Sequence, residues 1–173
     1  MIQIKTILFA TDLSKNSAYA FYYAVHLAKR DEAKIIILHV VEPLPRMLVS
    51  FEDFDHQVAK DRWEETVKNF KEKIQDVSVK VDARTGISSV DLISDILIRP
   101  GLPAEEILKV AGEESCDVII LGNHSKGFFG QKHLGSVSKS VLQGSQKPVF
   151  LVPLPAGDTE IQLDLNSIES KQA

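Results

Sequence analysis

Apolar residues recur along this chain in two rhythms. In the first, short runs are apolar at almost every position: 4–10 (IKTILFA), 34–41 (KIIILHVV), 94–99 (SDILIR), 117–121 (DVIIL) and 148–152 (PVFLV). A strand that is apolar at consecutive positions has both faces covered, as the strands of a parallel sheet do. In the second, apolar residues come every three or four positions. Ala18, Phe21, Tyr22, Val25 and Ala28 predict a helix over 14–29, with Ser14 or Ser17 as its N-cap. Phe51, Phe54, Val58, Val67, Phe70 and Ile74 predict a longer one over 53–75, with Trp63 slightly off the stripe. Pro103 opens a third at the turn where a missing N–H does no harm, with Glu105 and Glu106 at its positive end. A fourth covers 136 to about 143. Val77, Val79 and Val81 alternate with polar residues and predict a short strand or extended segment.

Strands alternating with helices predict an α/β fold built on one open, mostly parallel sheet with helices on both faces. Residues 1–155 make one domain. Two segments stand outside the plain alternation. One is 78–92, longer than a simple connection. The other is the tail, 156–173, where Ile161, Leu163 and Leu165 alternate; it reads as a frayed terminus or as a strand added to a partner's sheet.

Composition narrows the class. A chain of 173 residues with 44% hydrophobic and 25% charged positions fits one globular domain, and neither disorder nor a fibrous repeat. The single Cys116 excludes an internal disulfide and reads as a small packed residue. The longest apolar stretch, 35–41, is far short of the roughly 20 residues of a membrane span. The start, MIQIKTILFATDLS, does not follow a signal-peptide pattern, so the expected location is the cytoplasm, away from membranes. The formal net charge of −4 argues against general nucleic-acid binding. It is unevenly spread: 118–157 contains no Asp or Glu but holds Lys126, Lys132, Lys139 and Lys147. That pattern fits either a solvated basic loop or a local anion site.

In an open parallel sheet, ligands bind outside the carboxyl ends of the strands. Three places qualify: 10–14, 39–42 and 122–136. The last reads GNHSKGFFGQKHLGS, and its Gly135-Ser136 opens a helix whose free N–H groups suit phosphate. Ser138, one turn on, offers another hydroxyl; His124 and His133 lie in the loop. His39, inside an apolar strand, reads as a satisfied core histidine. No histidine pair or cysteine cluster has metal-ligand spacing, and no nucleophile elbow is present, so the chemistry points to binding rather than catalysis. A phosphoacceptor domain of the receiver type would need an Asp at the end of the third strand, where this chain has Arg99-Pro100.

Gly122-x2-Ser125-x9-Gly135-Ser136 resembles the G-x2-G-x9-G-[ST] loop of the universal stress protein family. KTILFATDLS, HVVEP, GLPAEEILKVA and KPVFLVP stand where that family has related segments, so the resemblance covers about 2–153. It implies a five-stranded parallel sheet of order 3-2-1-4-5, a homodimer paired through the last strand, and, in one subfamily, ATP binding without a known chemical transformation. Carried over, Asp12 matches the acidic residue near ribose and adenine, Val41 the position whose backbone meets adenine, and Gly122, Gly135, Ser136 and Val137 the phosphate loop. Ala10, Thr11, Val40, His124, Ser125, Gly127 and Ser138, which stand beside these positions, complete the candidate nucleotide-binding set. Mg²⁺ would be held by the phosphates and water. This chain departs from the pattern at Ser125, which replaces a glycine; a position needing φ > 0 would cost a serine about 1–2 kcal/mol. The 78–92 insertion is also atypical. Two readings therefore stand: a module that binds ATP or a related adenine nucleotide, and a dimer of the same fold that acts through protein contacts alone.

Overall fold

The computed structural model describes residues 3–42, 56–123 and 134–153. The chain runs β1 (Thr6–Ala10), α1 (Lys15–Asp31), β2 (Lys34–Val41), α2 (His56–Thr85), β3 (Ile93–Pro100), α3 (Pro103–Glu113), β4 (Val118–Gly122), α4 (Ser136–Gly144) and β5 (Val149–Val152). The five strands form one sheet of order β3-β2-β1-β4-β5, and every pairing is parallel. The expected α/β class and strand order are the observed ones.

Two cores lie on the two sides of the sheet. In β1, Ile7 and Phe9 face α1 and α2 while Leu8 and Ala10 face α3 and α4. Ile35 and Ile37 alternate in the same way with Ile36 and Leu38, as do Val118 and Ile120 with Ile119 and Leu121. This double burial is why the strands are apolar at consecutive positions. The α1 face pressed on the sheet is mostly small: Ala20, Ala24, Val25 and Ala28 are fully buried, which lets the helix lie close.

α1 starts where the Ser14 side chain accepts the Ser17 N–H and ends at Glu32, which takes the left-handed conformation (φ 54°). α3 has Pro103 at its first turn and Glu105 and Glu106 behind it, as read from the sequence. α2 differs from expectation. Its expected start at Asp53 lies outside the described residues, and it continues to Thr85, so Val77, Val79 and Val81 are helical rather than extended. Phe70, Ile74, Val77 and Val81 form one buried stripe at steps of three and four, whereas Val79 is 62% exposed. The alternation of the three valines coincides with a helical period that begins upstream, and the longer pattern prevails. Much of the 78–92 segment is thus helix; Gly86 (φ 68°) ends it, and Asp82 Oδ1 accepts the Ser89 N–H at 2.9 Å. The tail strand read at Ile161, Leu163 and Leu165 lies outside the described residues.

At the far end of the sheet from the strands' carboxyl termini, Asp117 Oδ2 accepts the N–H groups of Lys5 (2.8 Å) and Thr6 (2.9 Å) and ties β4 to the start of β1. These N–H groups hold its carboxyl below the ordinary range. A depressed carboxyl stabilises the fold above its unfolded pKa, and that contribution disappears as pH falls through the lower folded value. Asp117→Asn is expected to cost about 1 kcal/mol at neutral pH and to make the acid limb of the stability curve shallower, measured by urea unfolding between pH 7 and pH 3. Next to it, Cys116 is fully buried, and burial together with Glu114 pushes its thiol up to about 11. Cys116 should therefore stay unlabelled by a thiol reagent at pH 8 in the native protein and react fully in denaturant.

Candidate functional site

The chain leaves β1 toward β2 on one side and later returns to β4 on the other, so the strand order reverses at β1, where a crevice opens at the carboxyl ends. A cavity of about 210 Å³ lies there. Leu38 and Val40 of β2, Leu121 of β4, and Pro103 and Ile107 of α3 give it apolar walls. Thr11, Ser14, Ser17 and Ser138 bring hydroxyls, Gly122 and Gly135 bring bare main chain, and Asp12 and Glu42 bring carboxylates.

The lip formed by 11–14 is held by its own polar groups. Thr11 Oγ1 donates to Ser17 Oγ (2.9 Å) and accepts from the Leu13 N–H (3.0 Å); Ser17 Oγ donates to Ser14 O (2.9 Å). Asp12 Oδ1 accepts the Ser14 N–H at 2.9 Å. Leu13 sits at φ 62°, a left-handed conformation that costs a non-glycine residue about 1–2 kcal/mol and that these bonds sustain. The Thr11 N–H reaches Leu38 O, and Thr11 O faces His39 Nδ1 at 2.9 Å. A carbonyl only accepts, so His39 carries its proton on Nδ1. The imidazole also stacks on Phe70 of α2 (centroids 4.5 Å, 12° between planes). His39 is the satisfied histidine its place in the strand indicated, half-buried between the lip and α2.

Gly122 ends β4 against the first turn of α1. A Cβ there would lie 2.8 Å from the Asn16 carbonyl carbon and 3.0 Å from Ser17 N, both main-chain atoms. Gly135 is the N-cap of α4. Its N–H reaches Asn123 O at 3.2 Å, and no side chain among the described residues caps the helix. The first-turn N–H groups of α4 thus open toward the cavity with the positive end of the helix dipole. Ser138 is buried, and its hydroxyl donates to Gly122 O at 3.2 Å, which ties α4 to β4 instead of leaving the proton for a ligand.

Of the residues singled out in the sequence, Ala10, Thr11, Asp12, Val40, Gly122, Gly135, Val137 and Ser138 line the cavity. Val41 does not; its carbonyl accepts the Gly101 N–H at 3.0 Å, on the β3 side. Ser136 is the first residue of α4, with its side chain exposed. His124, Ser125 and Gly127 lie outside the described residues. Ser14 and Glu42 fall inside segments marked from the sequence, though neither was singled out there as a site residue, and Ser17, three positions beyond the first segment, was missed. Pro103, Ile107 and Leu121 arrive through packing, which no local pattern signals. The basic stretch divides in space. Lys147 acts on Asp117 and Cys116, at the opposite end of the sheet from the cavity, and Lys139 is exposed on α4. Among the described residues, no group of three or more His, Cys, Asp or Glu could hold a metal ion, and no helix is long and apolar enough to cross a membrane.

Comparison with known proteins agrees with this architecture. Residues 3–153 match the model of the universal stress protein family. A universal stress protein of Thermus aquaticus is 32% identical over 148 residues, covering 86% of this chain and 98% of its own length. The structure of MJ0577, a universal stress protein of Methanocaldococcus jannaschii, superposes with a TM-score of 0.64 at 26% identity, over 90% of this chain and all of the other. Two further structures share the fold: a universal stress protein in complex with cAMP (TM-score 0.54, 22% identity, 88% and 98% covered) and one from Archaeoglobus fulgidus in complex with dAMP (0.55, 19%, 88% and 99%). With its sheet order, the glycines at both ends of the cavity loop and a family match over nearly the whole described chain, this protein belongs to the universal stress protein family.

Proposed function

We propose that this protein is a binding module for an adenine nucleotide, ATP or a close relative, and that occupancy rather than turnover is its activity. The observation that carries the reading is the start of α4, which no side chain among the described residues caps and which lies beside two glycines at an apolar slot at the strands' carboxyl ends. N–H groups at a helix start bind anions, and a narrow apolar slot accepts a flat base. The complexes of two proteins of this fold with cAMP and with dAMP support an adenine nucleotide as the ligand class.

In this reading the base lies among Leu38, Val40, Pro103 and Ile107, against Val40 rather than Val41, whose carbonyl is bonded to Gly101. The sugar lies by Asp12. The phosphates lie over Gly122, Gly135 and the amides of Ser136 and Val137. Mg²⁺, where present, comes with the phosphates and their water, since the described residues supply no cluster of ligands for it. The hydroxyls of Thr11, Ser17 and Ser138 are bonded within the protein, which suits holding a ligand better than attacking one. The protein works in the cytoplasm as a homodimer paired through β5. In support of that pairing, β5 is an edge strand with Phe150 45% exposed, and Tyr23, 42% exposed, packs on it at 6.0 Å.

Thermal unfolding tests the ligand. Mg-ATP at 100 times its dissociation constant adds about 2.7 kcal/mol, a rise of roughly 5–10 °C for a chain of this size. Gly135→Val should abolish that shift. The backbone there (φ −60°, ψ 152°) suits any residue, and an added Cβ would lie 3.3 Å from the Asn123 carbonyl oxygen, so the ligand-free unfolding midpoint of the variant is measured beside it to separate lost binding from lost stability. No shift with millimolar ATP, ADP or AMP would leave the protein a dimer acting through protein contacts. For assembly, light scattering should give twice the chain mass, and Phe150→Asp on the edge strand should give the monomer.

A further inference from the structure

The sheet has two edges, β3 and β5, and they are not alike. In a strand, the N–H and C=O of one residue point to one side and those of its neighbours to the other. The Gly101 N–H reaches Val41 O at 3.0 Å, with Val41 opposite Pro100. Asp95, Leu97 and Arg99 therefore turn their main-chain groups toward β2, while Ile96, Ile98 and Pro100 turn theirs outward. This outer row is closed at three points. Ser94 is the extra residue of a bulge, passed over as Ile35 pairs with Ile93 and Ile36 with Asp95. The Ile96 N–H is taken by Asp95 Oδ1 at 2.7 Å. Pro100 has no N–H. Between the last two, Ile98 keeps its outward N–H.

β5 lacks these features. The Asn123 N–H bonds Val152 O and the Ile119 N–H bonds Pro148 O, so Val149 and Leu151 turn their main-chain groups outward. Both carry an N–H, and no side chain among the described residues takes either.

We propose that Asp95, with Pro100 and the bulge at Ser94, guards β3 against pairing with another chain, so that sheet-to-sheet association of this protein is confined to β5. Charged side chains, prolines and bulges keep an exposed edge from being extended. Asp95 does so in two ways. It occupies the N–H that an incoming strand's carbonyl needs, and its exposed carboxylate, an acceptor only, repels that carbonyl. The consequence for assembly is one of symmetry. A pair formed about a two-fold at β5 leaves one β3 at each end, and a second two-fold there would link pairs into an open chain without closure. The pairing at β5 is the reading given above; the guard on β3 stands without it.

Light scattering across a dilution series would compare the wild type with Asp95→Asn and with Asp95→Ala combined with Pro100→Thr. Asparagine keeps the acceptor and should keep the wild-type mass at every concentration. The double variant should grow with concentration to at least twice the wild-type mass, and hydrogen exchange at the Ile98 amide should slow as it does. Asp95 and Pro100 are exposed, so the unfolding midpoints should stay near that of the wild type. In the wild type itself, the Ile96 amide should exchange more slowly than that of Ile98. A double variant that keeps the wild-type mass overturns the guard, as does one that associates without slowing Ile98. Growth of the Asp95→Asn variant overturns the part given to the Asp95 acceptor. Equal exchange at Ile96 and Ile98 in the wild type does so without any variant. A monomeric wild type overturns the pairing at β5, while the double variant still decides the guard.

Discussion

A Cβ on residue 122 would sit 2.8 Å from the carbonyl carbon and 2.9 Å from the carbonyl oxygen of Asn16, and neither atom belongs to a side chain that can swing aside. That contact sets the geometry of the whole crevice. The end of β4 lies against the first turn of α1, so the start of α1, the lip at 11–14 and the start of α4 all meet in one place. Ser138, bonded to Gly122 O, brings α4 to the same point, and Asn123, bonded through its N–H to Val152 O and through its carbonyl to Gly135, holds β5 and the helix start beside it. A side chain at 122 would push α1 and β4 apart and open the cavity from below. The glycine that looks like a phosphate-loop residue is therefore first a packing residue, and its service to a ligand depends on that packing.

The lip illustrates how local polar bonds sustain a conformation that sterics disfavour. Leu13 at φ 62° would relax if its neighbours allowed it. The Thr11 hydroxyl takes its N–H, Asp12 takes the next N–H, and Ser14 caps the helix that follows, so three side chains within four residues replace the main-chain partners missing at the turn. Thr11 O in turn faces His39, whose ring rests on Phe70. The lip of the cavity and the long helix α2 thus share one half-buried imidazole, and a displacement of either must be accommodated by the other.

Most of the fold was legible because its signals are local and redundant. Five apolar runs, each bounded by turn residues, can hardly be anything but buried parallel strands once helical stripes separate them. The valines at 77, 79 and 81 were misleading because a three-residue alternation is weak beside the stripe of Phe70, Ile74, Val77 and Val81, which shows only when the window is extended upstream. Within the site, residues on strand ends and at the α4 start were legible from topology and glycine placement. Pro103 and Ile107 were not, because their place on the wall follows from how α3 packs across β2 and β4. Val40 and Val41 show the limit most sharply: adjacent residues of one strand face opposite sides, and sequence alone does not set which one meets the cavity.

Charge carries the last lesson of this kind. The lysine-rich stretch at 118–157 fitted either a solvated basic loop or a local anion site; Lys147 stands by Asp117 at the other end of the sheet and Lys139 is exposed on α4 without lining the cavity, while Lys126 and Lys132 lie outside the described residues. What the described residues offer an anion is the start of a helix, a fixed array of dipoles that no salt bridge competes for. Main-chain amides bring no net charge, so they can share a cavity with two carboxylates without being neutralised by them. A lysine in the same place would be drawn toward Asp12 or Glu42 and would close the mouth in the absence of ligand. Among the described lining residues the charged side chains are both acidic, so the donors that the cavity wall offers are hydroxyls and main-chain amides, whose direction is fixed by the fold rather than by a mobile cation.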